Sequence, residues 1–170
     1  EAIGIPLVEV KHLTSASQFP NLKTEKYVSE EVFHTWFRKH VKKNDILIST
    51  VGTIGFTSIV SNTNFAIAQN VLGLRFSSDS LSFYMFYLIK GTFIQHQINS
   101  RLVQTVQKSI KRKDLNEIPI LIPNISLLNA FAGKIKFLLD IQYNNEESIS
   151  ILSKTRDALL PKLMSGEIRV

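Results

Sequence analysis

The 170-residue sequence contains no cysteine, which excludes disulfides and thiolate metal sites and fits an intracellular home. No apolar run is long enough to cross a bilayer, because the longest, Leu81 to Ile89, is interrupted by Lys90 and Gly91. No membrane is therefore expected as a partner, and the expected location is cytoplasmic. Nothing at the N-terminus resembles a signal peptide, and the chain opens on Glu1 rather than Met, as a fragment or a processed chain would. Internal repeats and low-complexity stretches are also missing.

The spacings that catalysis requires are missing too. Gly52-Thr53-Ile54-Gly55 lacks the Lys and the following helix of a phosphate-binding loop and reads as a tight turn. His12, His34, His40 and His96 have no metal-ligand spacing with one another or with carboxylates, and read as surface or capping residues. Glu9-Val10-Lys11 has the Glu-x-Lys spacing of a magnesium nuclease, but no Asp precedes it to supply the second carboxylate. Ile122-Pro123-Asn124 does not supply the Asn/Asp-Pro-Pro-aromatic motif with which an adenine methyltransferase holds its target amine. The expectation is a chain with no catalytic residue, no metal and no cofactor of its own.

What is present is positive charge. Lys and Arg number 20 against 14 Asp and Glu, a net charge of +6, which favours an anionic partner such as nucleic acid or an acidic membrane surface. The densest cluster is Lys108, Lys111, Arg112 and Lys113. With Lys42 and Lys43 these are natural phosphate contacts, while Arg101, Gln104, Gln107, Gln69 and Asn70 can hydrogen-bond base edges. The plainer alternatives stay open: a Lys run as a solvated face, and Gln69-Asn70 as a polar strand end or bulge.

Along the chain, Ile5 to Val10 reads as a strand, followed by a polar loop up to Tyr27. Ser29 caps a short helix that buries Val32, Phe33, Trp36 and Phe37 and ends near Arg38 and Lys39. Asn44-Asp45 turns into the strand Ile46 to Ser49. Strands at Phe56 to Val60, Phe65 to Ala68 and Val71 to Phe76 complete a mainly antiparallel twisted sheet. A buried core helix runs from Ser80 toward Ile98, Asn99 to Ser109 is a polar loop, and Ile118 to Ile122 forms a last strand that Pro123 stops. Ser126 then caps a long helix to Leu160, about 50 Å at 1.5 Å per residue, which Pro161 ends or kinks.

On that helix Leu128, Phe131, Ile135, Leu138, Ile149, Leu152, Leu159 and Leu163 fall at alternating spacings of three and four, with Gln142, Asn145 and Arg156 filling the gaps in register. This heptad seam has to be buried against a second helix, from the chain's own globular part or from another chain. The expected fold class is α+β. Residues 1–123 form a sheet domain with a buried helix, and residues 124–170 a coiled-coil-like helix.

The order of these motifs is similar to half of a specificity (S) subunit of type I restriction-modification systems, one target recognition domain followed by one conserved spacer helix. The resemblance is carried by Gly4-Ile5-Pro6-Leu7-Val8, by Val41 to Ser49 running into Gly52-Thr53-Ile54-Gly55, by Gln69-Asn70, and above all by the closing segment Leu152 to Ile168. The chain departs from the family at Asn44-Asp45 (often Gly-Asp), at Ile122 to Ser126 (Pro-Pro-x-x-Glu-Gln) and at Val103 to Gln107 (Gly-Ser/Thr-x-Gln). The resemblance implies binding to double-stranded DNA at one half of a split site and adds Ser49, Thr53 and Thr105 to the candidate DNA-binding residues. It implies docking of modification subunits, which bring S-adenosylmethionine and methylate adenine, and through them of a restriction motor subunit. For a single half it implies a homodimer of antiparallel helices that meet along Leu128, Phe131, Ile135, Leu138, Ile149, Leu152, Leu159 and Leu163, with Gln142 and Asn145 near the centre. The rival reading is a non-catalytic adaptor whose helix recruits a protein partner.

Overall fold

The computed structural model describes residues 4–102 and 108–168, so the candidate readers Gln104, Thr105 and Gln107 lie outside the described residues. Strand β1 (Ile5–Val8) is shorter than its apolar run, because Glu9 leads into a tight turn over Val10–His12. The turn is closed by the Glu9 N–H donating to His12 Nδ1 at 2.9 Å. Strand β2 (Tyr27–Val28) pairs antiparallel with β1, Ile5 facing Val28. Helix α1 (Glu30–Thr35) starts where Ser29 Oγ accepts the Val32 N–H at 3.2 Å. It is six residues long; of its apolar set only Phe33 is buried, and Trp36, expected inside, is 80% exposed.

The centre is β3 (Ile46–Ser49), every residue of which is buried. It takes β4 (Thr57–Ile59) on one side and β6 (Val71–Leu74) on the other, both antiparallel. Between them in sequence, β5 (Ala66–Ile67) leaves this sheet and joins β1 in parallel, Leu7 facing Ala66. The result is two three-stranded sheets, β2-β1-β5 and β4-β3-β6. The parallel pair departs from the antiparallel expectation, because alternation within one strand does not encode which distant strand lies beside it. Val8, Leu47, Val60, Phe65 and Val71 join the core between them. At the start of β3 the buried carboxylate of Asp45 is held by three donors. Arg75 reaches it through Nε at 2.9 Å and Nη2 at 2.6 Å, and the Lys42 N–H at 2.7 Å.

The expected single core helix is two, α2 (Asp79–Lys90), capped by Ser78, and α3 (Thr92–Ser100). Gly91 separates them with extended backbone, φ −66° and ψ 150°. The basic run contributes a short α4 (Arg112–Asn116). Ile118 to Ile122 joins no ladder and is not a strand; the Leu121 carbonyl instead accepts the Tyr84 hydroxyl at 2.6 Å. Helix α5 (Ile125–Met164) is capped by Asn124, not Ser126, since Asn124 Oδ1 accepts the Leu127 N–H at 2.9 Å. It passes through Pro161 without ending there. Proline withholds its N–H from the carbonyl four residues back, but so near an exposed helix end that carbonyl is open to solvent.

The chain divides into two compact units, Glu1–Lys134 and Ile135–Val170. The first turns of α5 belong to the first unit, where Leu128 and Ala132 are buried and Phe131 meets Tyr84 and Tyr87 edge to face at 6.2 and 6.3 Å.

Two outcomes follow from these contacts. Arg75→Met leaves the Asp45 carboxylate buried with one donor and lowers unfolding free energy by about 2–4 kcal/mol, read from urea melts. Burial pushes the His12 imidazole below its ordinary value of 6.5, so the unfolded chain takes up a proton before the folded one does. Stability is therefore whole above about pH 6.5 and declines as pH falls below it. The urea midpoint drops between pH 7.5 and pH 5.5, and it drops less in His12→Asn, which keeps an acceptor but does not titrate.

Candidate nucleic-acid interface

Where β3 ends, the chain cannot continue its ladder, and Thr50 becomes the meeting point of three loops. Its N–H donates to the Asn70 carbonyl at 2.9 Å, and its hydroxyl donates to the same oxygen at 3.1 Å. Its own carbonyl accepts the Ile110 N–H at 3.0 Å, and two residues on the Gly52 N–H donates to the Lys108 carbonyl at 3.2 Å. Val51 and Ser109 form an isolated antiparallel bridge between these segments. The β3–β4 turn, the β5–β6 turn and the lead into α4 are thus fastened through their main chains. Thr53, Gln69, Asn70, Lys108, Lys111, Arg112 and Lys113 are all exposed.

The β3–β4 turn is held from beneath. Ser49 Oγ donates to the Thr53 carbonyl at 2.6 Å and accepts the Phe56 N–H at 2.9 Å. Gly52 and Gly55 both have positive φ, 78° and 84°. A Cβ on Gly55 would stand 2.6 Å from Gln95 Oε1, and Gln95 Nε2 donates to the carbonyls of Gly55 at 3.1 Å and Ile89 at 2.8 Å. The backbone angle calls for glycine there, and any larger residue would also push aside the Gln95 amide.

These contacts sort the candidates. Ser49 is 0% exposed and is corrected from a DNA contact to a positioning residue, because a hydroxyl spent on its own turn and sealed from solvent cannot reach a ligand. Arg101, half-buried at the end of α3, donates to the carbonyl and side-chain oxygen of Gln97. Lys42 and Lys43 are exposed in the turn that precedes β3, at the opposite end of that strand from Thr50, and do not join the same edge. Lys113 lies 3.8 Å from Glu117 in an exposed pair one turn on, which screens it little. Thr50 and Gln95, the residues that assemble the edge, carry no sequence signal except as polar residues near apolar runs. Among the described residues no three His, Asp or Glu side chains stand together as a metal site, and no helix is long and apolar enough to cross a membrane.

The seam on α5 divides. Leu128 is buried and Phe131 and Ile135 are half-buried, whereas Leu138, Ile149, Leu152, Leu159 and Leu163 are exposed, along with Gln142 and Asn145. For Leu138 helical geometry gives the reason: ten residues from Leu128 rotate it about 80° away, whereas Leu139, eleven residues on, returns to within about 20° and is buried.

Residues 9–127 match the family described as type I restriction modification DNA specificity domain. The MjaIX type I restriction enzyme specificity subunit of Methanocaldococcus jannaschii is 28% identical over 173 residues, covering all of this chain and 39% of that protein. The type I restriction-modification S subunit of M. genitalium superposes with a TM-score of 0.61 at 20% identity, over 96% of this chain and 42% of that one. The HsdS subunit of Thermoanaerobacter tengcongensis gives 0.55 at 18% identity, over 99% and 39%. The chain therefore spans less than half the length of these relatives. With the family matched across most of the sheet unit and the fold shared over nearly its whole length, the chain belongs to the type I restriction-modification DNA specificity domain family.

Proposed function

We propose that this chain is a DNA target-recognition module, which binds one half of a split site on duplex DNA and performs no chemistry itself. The observation that carries the reading is the Thr50 junction, which fastens two loops bearing Thr53, Gln69 and Asn70 to the segment that bears the cations Lys108, Lys111, Arg112 and Lys113, at one end of a buried strand. Lys108, Lys111, Arg112 and Lys113 take phosphates and set the domain's register on the duplex. Thr53, Gln69 and Asn70 present hydroxyl and amide groups of the kind that pair with base edges, and Arg101, at the end of α3, is a further reader once it leaves Gln97. Adenine methylation falls to modification (methyltransferase) subunits that dock on the module, and cleavage to a restriction motor subunit reached through them.

The exposed half of the α5 seam pairs with a second such helix. For this chain alone the partner is a second copy in a two-fold homodimer; in a longer chain it is the remaining half. Leu138, Ile149, Leu152, Leu159 and Leu163 supply the apolar contact, and Gln142 and Asn145 fix the register.

Two measurements test this. The logarithm of duplex affinity falls linearly with log salt, at about 0.9 per phosphate neutralised, and replacing Lys108, Lys111, Arg112 and Lys113 by Ala lowers that slope by about 3 to 4. An unchanged slope refutes the phosphate assignment. Gln69→Ala or Asn70→Ala lowers the preference for duplexes selected from a random pool by about tenfold or more, with non-specific binding retained. Separately, Ile149→Asp with Leu152→Asp places charge in the helix contact and converts a sedimenting dimer to monomer, while the melting of the sheet unit is unchanged. A dimer that survives the pair of substitutions rules the seam out.

A further inference from the structure

The segment from His34 to Lys43 carries Arg38, Lys39, Lys42 and Lys43 together with the imidazoles of His34 and His40. No Asp or Glu lies among them, and all six side chains are exposed. In their midst stands Trp36, the single tryptophan of the chain and 80% exposed. An indole this open is unusual, since tryptophan is buried on average more than most residues.

The segment is nonetheless firmly held. Phe33 and Val41 are buried, and Phe37 between them is half-buried, so every fourth side chain turns inward. Phe33 packs against Phe37 and His40, ring centroids 6.1 and 4.2 Å apart. The His40 carbonyl accepts Arg75 Nη2 at 2.9 Å, and the Lys42 N–H is bound to Asp45. Trp36 and the cations are displayed on a backbone tied to the core at Phe33, His40, Val41 and Lys42, and a mounted surface costs less to bind with than a loose one.

We infer that this segment is a second nucleic-acid contact, in which Arg38, Lys39, Lys42 and Lys43 bind backbone phosphates outside the half-site and Trp36 packs against sugar and base edges. It rests on the DNA-recognition reading above. A run of cations without one acid suits a polyanion, and an exposed indole among them suits a duplex backbone, in which each phosphate is followed by a deoxyribose with apolar C–H faces. The patch precedes β3 and the Thr50 edge follows it. The strand alone is about 13 Å long, on the order of four base pairs at 3.4 Å each. The two surfaces therefore serve different stretches of duplex.

Because Trp36 is the only tryptophan, its emission reports this surface alone, while anisotropy of a labelled 40-base-pair duplex reports total binding. The two signals are expected to change in step. Replacing Arg38, Lys39, Lys42 and Lys43 by Ala lowers the salt slope by about 3 to 4, and Trp36→Ala weakens binding to every duplex about tenfold without changing which duplex is preferred. Anisotropy that saturates while Trp36 emission stays constant overturns the second contact and leaves the recognition edge standing. Emission that moves only on adding a modification subunit assigns the patch to protein and overturns it as well. No anisotropy change with any duplex sinks both readings.

Discussion

The full burial of β3 is the constraint on which the rest depends. A four-residue strand with neighbours on both edges and both faces covered has its own hydrogen bonds satisfied, but it leaves each end of the chain to find partners within a residue or two. At the leading end Asn44 donates to the Val60 carbonyl, and the Asp45 carboxylate gathers Arg75 and the Lys42 N–H. At the trailing end Ser49 and Thr50 bind the main chain of the turn, of Asn70 and of Ile110. Both ends are thereby built into rigid platforms. One holds the polar edge beside Lys108, and the other holds the Trp36 surface.

This arrangement separates residues that shape loops from residues that face solvent. Asn44 has φ 67°, the left-handed region in which Asn is among the few tolerated residues besides Gly. That suits Asn44-Asp45 to its place: the turn needs the backbone angle, and the carboxylate needs to reach Arg75. Ser49, Gly55 and Gln95 likewise act inward. Thr53, Gln69 and Lys108 take part in the platform chiefly through backbone atoms or not at all, and their side chains are free of that duty.

Much of this was legible in the sequence. The uniform apolar run of β3, the Ser29 cap, the tight turn at Gly52 to Gly55 and the long terminal helix are local features, written in residues close together. What was not legible depended on distance or on small differences in length. Alternation could not say that β5 would pair in parallel with β1. Ile118 to Ile122 has the composition of a strand but finds no edge to join. Trp36 fits the apolar periodicity of α1 and, as its C-cap, keeps helical backbone, yet it stands about 60° around the helix from Phe33, which takes the inward position while the indole meets solvent. Asn124 and Ser126 are both good caps, and only the start of the helix at Ile125 distinguishes them. For the candidate site, composition found the exposed cations and amides, but it could not tell Ser49, sealed beneath the turn, from Thr53 above it.

The bonds that fasten the three loops at Thr50 run almost wholly between peptide groups, and peptide groups are the same whatever residue bears them. Mutation at Thr53, Gln69 or Asn70 therefore alters the outward face without loosening its mount. Proteins usually lose stability when they acquire new binding preferences; here that conflict is weak. Such a surface can drift through many side-chain combinations with its scaffold intact, which makes diversification the path of least resistance.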